Sequence, residues 1–256
     1  MELGMKKKIR RIILLSALLV AGLLFVAKFG GPAILRMYIE AGVGDCKKIP
    51  VLCIVPQSKM SDPVIDEEYV DGLLPYVYPE VEVRLPRGFT VVKQIVKRVY
   101  YKKWKKRAKG ATIYLLHEPP DYFIRLFPQL KGVAVKNDYD FVSRLMHARV
   151  SEIKNVTDAF FVVMKGIFIP DLADQNSVKI IHYSGQGRKG FIGYNMGAKE
   201  NYFDCNIVGP DGYFKVYIKD MAKTLDLEKV AAILSTLKAR DGSQANLKVS
   251  PPEGTL

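Results

Sequence analysis

Apolar and polar residues alternate along "VEVRLPRGF", where Val81, Val83 and Leu85 face one way and charged partners the other, the period of a half-buried strand. In the next segment, "TVVKQIVKRVYYKKWKKRAK", Val92, Ile95, Val96 and Val99 recur at intervals of three and four and the run stops at Gly110. That spacing predicts a helix over 90–109, with a hairpin as the alternative. "ATIYLLHE" then reads as a strand stopped by Pro119 and Pro120, and "DYFIRLFPQL" as a short apolar helix or turn capped by Asp121. "DYDFVSRLMHARVSEI" has the stripe of an amphipathic helix that buries Phe141, Val142 and Leu145, and "NVTDAFFVVMKGIF" that of a buried helix started near Asn155. "SVKIIHYS", "KGFIGYNMG", "NYFDCNIV" and "YFKVYIKD" are four strand-like runs divided by glycine-bearing turns, which predicts an antiparallel meander. "LDLEKVAAILSTLKA" closes the domain as a helix with Leu227, Val230, Ala231, Leu234 and Leu237 on one face. Residues 240–256 show no periodicity and read as a disordered tail.

The N-terminus has a different pattern. Lys6, Lys7, Lys8, Arg10 and Arg11 precede the uncharged run Ile12–Ala27, 16 residues long. Residues 1–11 are therefore expected as a basic cytoplasmic segment and 12–35 as an uncleaved transmembrane signal-anchor. The charge bias sends the remainder out of the cytoplasm, a single-pass arrangement in the inner membrane. "GGPAILRMYIEAG" carries Ile34, Leu35, Tyr38 and Ile39 at helical spacing and reads as a short helix lying on or leaving the membrane. Residues 36–79 form a juxtamembrane segment and an acidic linker, with Asp66, Glu67, Glu68 and Asp71 available to basic neighbours. The globular domain is expected over 80–239.

Charge sharpens this division. The formal net charge of the chain is +13, of which +5 falls in residues 1–28 and +9 in residues 93–109, so the rest is close to neutral. The second basic segment suggests a docking surface of Lys97, Arg98, Lys102, Lys103, Lys105, Lys106, Arg107 and Lys109, with Tyr101 and Trp104 as apolar anchors. Anionic lipid, a wall polymer or an acidic envelope protein would fit it. Nucleic acid would use the same charges and aromatics, but an exported domain meets it only in uptake. A solvated face paired with the acidic linker is the plain alternative.

Other chemistry is sparse. Cys46 and Cys53 stand seven positions apart in "GDCKKIPVLCIVP", a spacing for a small disulfide loop in an oxidising compartment rather than for a metal site. Cys205 reads as a packed strand residue. "YSGQGRKGFIGY" holds Gly185, Gly187 and Gly190 in a G-x-G-x-x-G pattern, but a strand follows it where a dinucleotide fold needs a helix; a hairpin turn is the better reading. Arg188 and Lys189 in that turn could contact an anion. His117, His147 and His182 lack metal-ligand spacing, and no nucleophile signature is visible, so neither metal nor cofactor is expected. An envelope hydrolase with a site near His182, Arg188 and Cys205 is the enzymatic alternative.

"VRLPRGFTVV" and "GYFKVYIKDMAKTLDLEKVAAILSTLK" resemble the opening strand and the closing strand and helix of the PsbP-like domains. The likeness covers the two ends of residues 80–239. It implies an α/β/α sandwich and a binding or assembly role, and it implies no site residues. The sequence thus predicts an α+β protein: an N-terminal transmembrane helix and one domain with a mostly antiparallel sheet and packed helices, acting as a non-catalytic binding module of the cell envelope.

Overall fold

The computed structural model describes residues 30–42, 46–57, 65–78, 81–96, 99–106, 110–132, 135–169, 178–197 and 199–240. The expected basic segment 1–11, the apolar run Ile12–Ala27 and the tail 241–256 lie outside them. The chain is α+β and both of its sheets are antiparallel. The transmembrane helix expected as part of the fold is corrected: among the described residues no helix is long and apolar enough to cross a membrane. The longest, Val156–Phe168, has 13 residues, which at 1.5 Å per residue reaches about 20 Å, short of a hydrocarbon core of about 30 Å.

The main sheet has seven strands: β3 (Phe89–Val96), β4 (Val99–Lys106), β5 (Ala111–Glu118), β6 (Lys179–Gly185), β7 (Arg188–Met196), β8 (Asn201–Gly209) and β9 (Gly212–Asp220). Their order is β3-β4-β5-β9-β8-β7-β6, so two meanders meet where β5 pairs with β9. A smaller sheet joins β1 (Leu74–Tyr78), β2 (Val81–Leu85) and the short β10 (Lys238–Ala239). The α-helices among the described residues are α1 (Gly31–Gly42), α2 (Glu67–Asp71), α3 (Tyr122–Leu126), α4 (Asp138–His147), α5 (Val156–Phe168) and α6 (Leu227–Ser235).

Because successive strand residues point to opposite faces, the main sheet builds two cores. On one face Ile113, Leu115, Ile192, Phe203, Cys205, Phe214, Val216 and Ile218 pack against Val81, Val83 and Leu85 of β2 and Val230, Ala231 and Leu234 of α6. On the other, Phe191, Tyr202 and Tyr213 meet Phe123 of α3, Phe141, Val142 and Leu145 of α4, and Phe161 of α5. Leu35 and Ile39 of α1 pack with Leu52, Ala159 and Val162 on the flank of α5. The segment 36–79 contributes the greater part of α1, with α2 and β1, and Gln57 N–H donates to the Ile180 carbonyl of the edge strand β6 at 3.0 Å.

The helix expected over 90–109 is a β-hairpin, β3 paired with β4 from Phe89↔Lys106 to Val96↔Val99. Val, Ile, Tyr and Trp supply strand propensity at most of its uncharged positions. The spacing of three and four that suggests a helix arises because the run carries lysines at both parities, which hides the alternation.

The glycine motif is a hairpin turn. Gly185 pairs with Arg188, and Gln186 and Gly187 between them have φ of 50° and 73°, the two positive values that a two-residue type I′ turn requires. Gly190 serves packing: a Cβ there would fall 2.0 Å from the Asn206 carbonyl oxygen of the adjacent strand.

The cap of α3 also differs from expectation. Asp121 has φ of 62° and makes no side-chain cap. The buried Asp138 accepts from Tyr122 N–H at 3.0 Å and Phe123 N–H at 2.9 Å, tying the start of α3 to the start of α4. Asp138→Ala should lower the unfolding free energy by about 1–2 kcal/mol, read in a urea titration, because two amides lose their acceptor.

Candidate functional site

Directly paired residues of antiparallel strands share a face, so register locates the basic strand even where only its backbone is described. Trp104 pairs with the buried Ile113 and Lys102 with the buried Leu115, placing positions 102, 104 and 106 on the side of the small sheet. Lys103 pairs with Tyr114 and Lys105 with Thr112, placing positions 101, 103 and 105 on the helix side. Of the positions expected to share one surface, register thus places Tyr101, Lys103 and Lys105 on one face and Lys102, Trp104 and Lys106 on the other. A helix would have put Tyr101 and Trp104 together; the strand puts them on opposite faces. Lys97, Arg98, Arg107 and Lys109 lie outside the described residues.

The helix side of β4 continues onto a tyrosine row. Tyr114 of β5 is opposite Tyr217 of β9, with ring centroids 5.8 Å apart, and Tyr217 is 6.0 Å from Tyr202 of β8. Tyr114 and Tyr217 are half-buried, and burial raises the Tyr217 phenol well above its ordinary pKa, so it stays neutral. Lys219 lies over the Tyr202 ring at 5.3 Å and pairs with Glu200 at 3.0 Å, and Tyr202 Oη donates to Glu200 at 2.5 Å.

Deeper on the same face is a polar knot. Lys215 pairs with the buried Asp204 and donates to the Phe168 carbonyl at 2.6 Å. Asn206 donates to Asp204 at 2.7 Å and accepts from Tyr213 Oη at 2.8 Å. Burial pushes the Asp204 carboxyl up, against the pull of Lys215. Its Oδ2 is buried without a hydrogen-bond partner. Lys215 and Lys219 are each matched by an acid, and the register adds the lysine positions 103 and 105 to this side of the sheet.

The other candidates separate. Cys205 is fully buried, and burial, with Asp204 next to it, raises its thiol far above the ordinary range. His182 contacts Phe191 on the helix face, with ring centroids 4.7 Å apart, and lies 5.7 Å from His147; burial and His147 lower its pKa. Cys205 pairs with Ile192 on the opposite face, so His182 and Cys205 are divided by the sheet. Arg188 is buried on the Cys205 side, forked onto Asp211 at 2.5 and 3.2 Å and over the Phe214 ring at 5.3 Å. Against the desolvation of burial, bonds from Arg188 and from Ala239 N–H hold the Asp211 carboxyl below its usual range. Arg188 thereby anchors β10 and the turn at Asp211, while Lys189 is exposed on the helix side. His117 bonds the Asp211 carbonyl at 2.8 Å and packs on Phe214. Among the described residues no group of three His, Cys, Asp or Glu side chains could hold a metal ion.

Cys46 and Cys53 are joined in a disulfide, with Cα atoms 5.7 Å apart. The loop packs beside Leu52 on α5 and is tied from within. Lys165 of α5, fully buried, donates to the carbonyls of Ile54 at 2.5 Å, Met146 at 2.8 Å and Ala148 at 2.9 Å. Burial, with Arg149 adding, pushes this amine down to about 7.

Sequence reading missed the tyrosine row. The available signal was the period-two run Lys215, Tyr217, Lys219 in "YFKVYIKD" beside Tyr202, Asp204 and Asn206 in "NYFDCNIV". Its meaning depends on which strands become neighbours. No protein-family model and no curated protein sequence matches the chain.

Proposed function

We propose that this chain is a non-catalytic docking module of the cell envelope that binds an extended anionic wall polymer along the helix side of β4, β5 and β9. The observation that carries the reading is the register that aligns Lys103 and Lys105 with Tyr114 and Thr112, extending a row of three tyrosines by two lysine positions. Lysines supply salt-sensitive attraction to phosphate or carboxylate groups along such a polymer, and neutral tyrosines supply flat surfaces and hydroxyl donors for its sugar or polyol backbone. A pleated ridge several strands wide suits a linear chain better than a flat lipid surface. The disulfide between Cys46 and Cys53 supports a site outside the reducing cytoplasm. The likeness to PsbP-like domains, mostly binding or assembly modules, supports the same class of role.

The test uses strand parity. The purified chain in mild detergent is titrated with polyglycerol phosphate at two salt concentrations, beside anionic vesicles and single-stranded DNA. The K103S/K105S variant should lose at least about tenfold in polymer affinity with a shallower salt dependence, and K102S/K106S should change it less than about threefold. Equal losses in the two variants would show that general charge, and not this face, does the binding. Tighter binding to vesicles or to DNA than to the polymer would replace the wall polymer by that ligand.

A further inference from the structure

A cleft of about 330 Å³ opens where the last turn of α4, the stretch 148–154 and the first half of α5 meet. That volume is at the lower end of small-molecule sites, about 300–1,000 Å³. Arg144 and His147 come from α4, Arg149 from the connecting stretch and Lys154 from just before α5, so basic side chains line the cleft from three places. Phe161 and Val162 of α5, both buried, give it an apolar wall. The two acids that line it are committed elsewhere. Glu152 pairs with Arg149, and Asp158 accepts from Lys154 N–H at 2.9 Å at the start of α5. Arg144 and Lys154 are exposed, and their side chains make no ion pair or hydrogen bond among the described residues. Arg149 gives one Nη to Glu152, while its Nε is buried without a hydrogen-bond partner. Such a donor is costly to leave unmade. Behind the cleft the Met146 and Ala148 carbonyls both accept from Lys165, at 2.8 and 2.9 Å, so that stretch turns these acceptors inward. The lining is rich in donors and poor in free acceptors.

We infer that this cleft binds a small organic phosphate monoester, with the phosphate among Arg144, Arg149 and Lys154 and the organic part toward Phe161 and Val162. A phosphate monoester carries about −1.5 to −2 charges at pH 7 and three terminal oxygens, so it can meet donors that arrive from three directions. A planar carboxylate has one charge and serves a single fork. The cleft also has more room than a bare phosphate ion takes, and its apolar wall suits carbon. No tyrosine or lysine of the polymer-binding face lines it, and the proposal does not rest on that reading.

The full chain in mild detergent is titrated by calorimetry with phenyl phosphate, benzoate and inorganic phosphate at one ionic strength. Phenyl phosphate should bind saturably at one site, at least about tenfold tighter than either of the others. Arg144→Gln and Lys154→Gln, at exposed positions whose side chains hold nothing in the fold, should each weaken it at least about fivefold. Arg149→Lys keeps the charge but removes Nε and the planar fork, and should weaken it at least about tenfold. If that variant fails to fold, the other two carry the test. Lys238→Gln, on the small sheet across the main one, and K103S/K105S, on the polymer-binding face, should change the affinity less than about twofold. Absence of saturable phenyl phosphate binding overturns the proposal, as do losses in the two controls equal to those in the cleft variants. Benzoate bound as tightly overturns the choice of phosphate, and inorganic phosphate bound as tightly overturns the role given to the organic part.

Discussion

Lys215→Met should destabilise the protein by about 3–5 kcal/mol, because it strands the Asp204 carboxylate inside the sheet without its cation. The lysine also serves the Phe168 carbonyl, so a second polar group loses its partner at the end of α5. Asp204 is raised by burial even with Lys215 present, and without it the folded form holds its proton to higher pH. A carboxyl raised in the folded state binds more protons folded than unfolded, so stability falls as pH rises between the unfolded and folded values. The penalty of Lys215→Met should therefore be smaller at pH 5 than at pH 8, by up to about 1.4 kcal/mol for each unit in that window. The double variant Asp204→Asn/Lys215→Met, which removes both charges and keeps the amide in contact with Asn206, should recover more than half of the loss. Denaturant titrations of the three variants at both pH values decide the matter. A double variant no better than Lys215→Met would show that packing, and not the unpaired carboxylate, sets the cost.

Lys165 should give the protein a stability that rises from neutral to mildly alkaline pH. In the unfolded chain this amine has its ordinary value of 10.5, and in the folded protein about 7. Below pH 7 both states hold the proton, and the folded state bears the full cost of a buried ammonium. Between 7 and 10.5 the unfolded state alone holds it, so each step upward in pH favours the folded state. From pH 7 to pH 8.5 this one group should add roughly 1.5 kcal/mol, and Lys165→Met should remove the rise. The measurement is the unfolding midpoint in urea at the two pH values for both proteins. A flat profile in the unsubstituted protein would mean that the carbonyls of Ile54, Met146 and Ala148, which match the three N–H donors of an ammonium, hold the charge against burial.

Much of the fold was legible because local signals agreed with the final packing. In α4, Asn137 caps by accepting from Asp140 N–H, and Phe141, Val142 and Leu145 are buried as their spacing predicts. In α5, Asn155 accepts from Asp158 N–H in the same way. The four runs of the C-terminal third became β6 to β9, since each has strand-forming residues and a turn that only a few residue types permit. The β3–β4 hairpin was misread because lysines fall at both parities of β4 and hide the alternation that a half-buried strand would show. The candidate face was only partly legible. Its charge was plain in the sequence, but which lysines share a side depends on strand against helix. The tyrosines that complete it come from distant parts of the chain, Tyr114 from β5 and Tyr202 and Tyr217 from the later hairpin of β8 and β9. Asp204 and Lys215 were invisible for a related reason: each looks like an ordinary exposed strand residue until the helix layer covers that side of the sheet.

The strand order also sets a sequence of events in biosynthesis. The hairpin β3–β4 and strand β5 are complete by Glu118, but β5 gains its second neighbour only when β9, beginning at Gly212, has been made. At a synthesis rate of 5–20 residues per second, the free edge of β5 stays open for on the order of 5–20 s while α3 to α5 and the second meander emerge. An unpaired strand edge is a template for pairing with another chain. That edge is exposed to such pairing throughout this interval, and the pairing of β5 with β9, a contact between distant parts of the sequence, carries a larger loop-closure cost than the hairpins on either side of it.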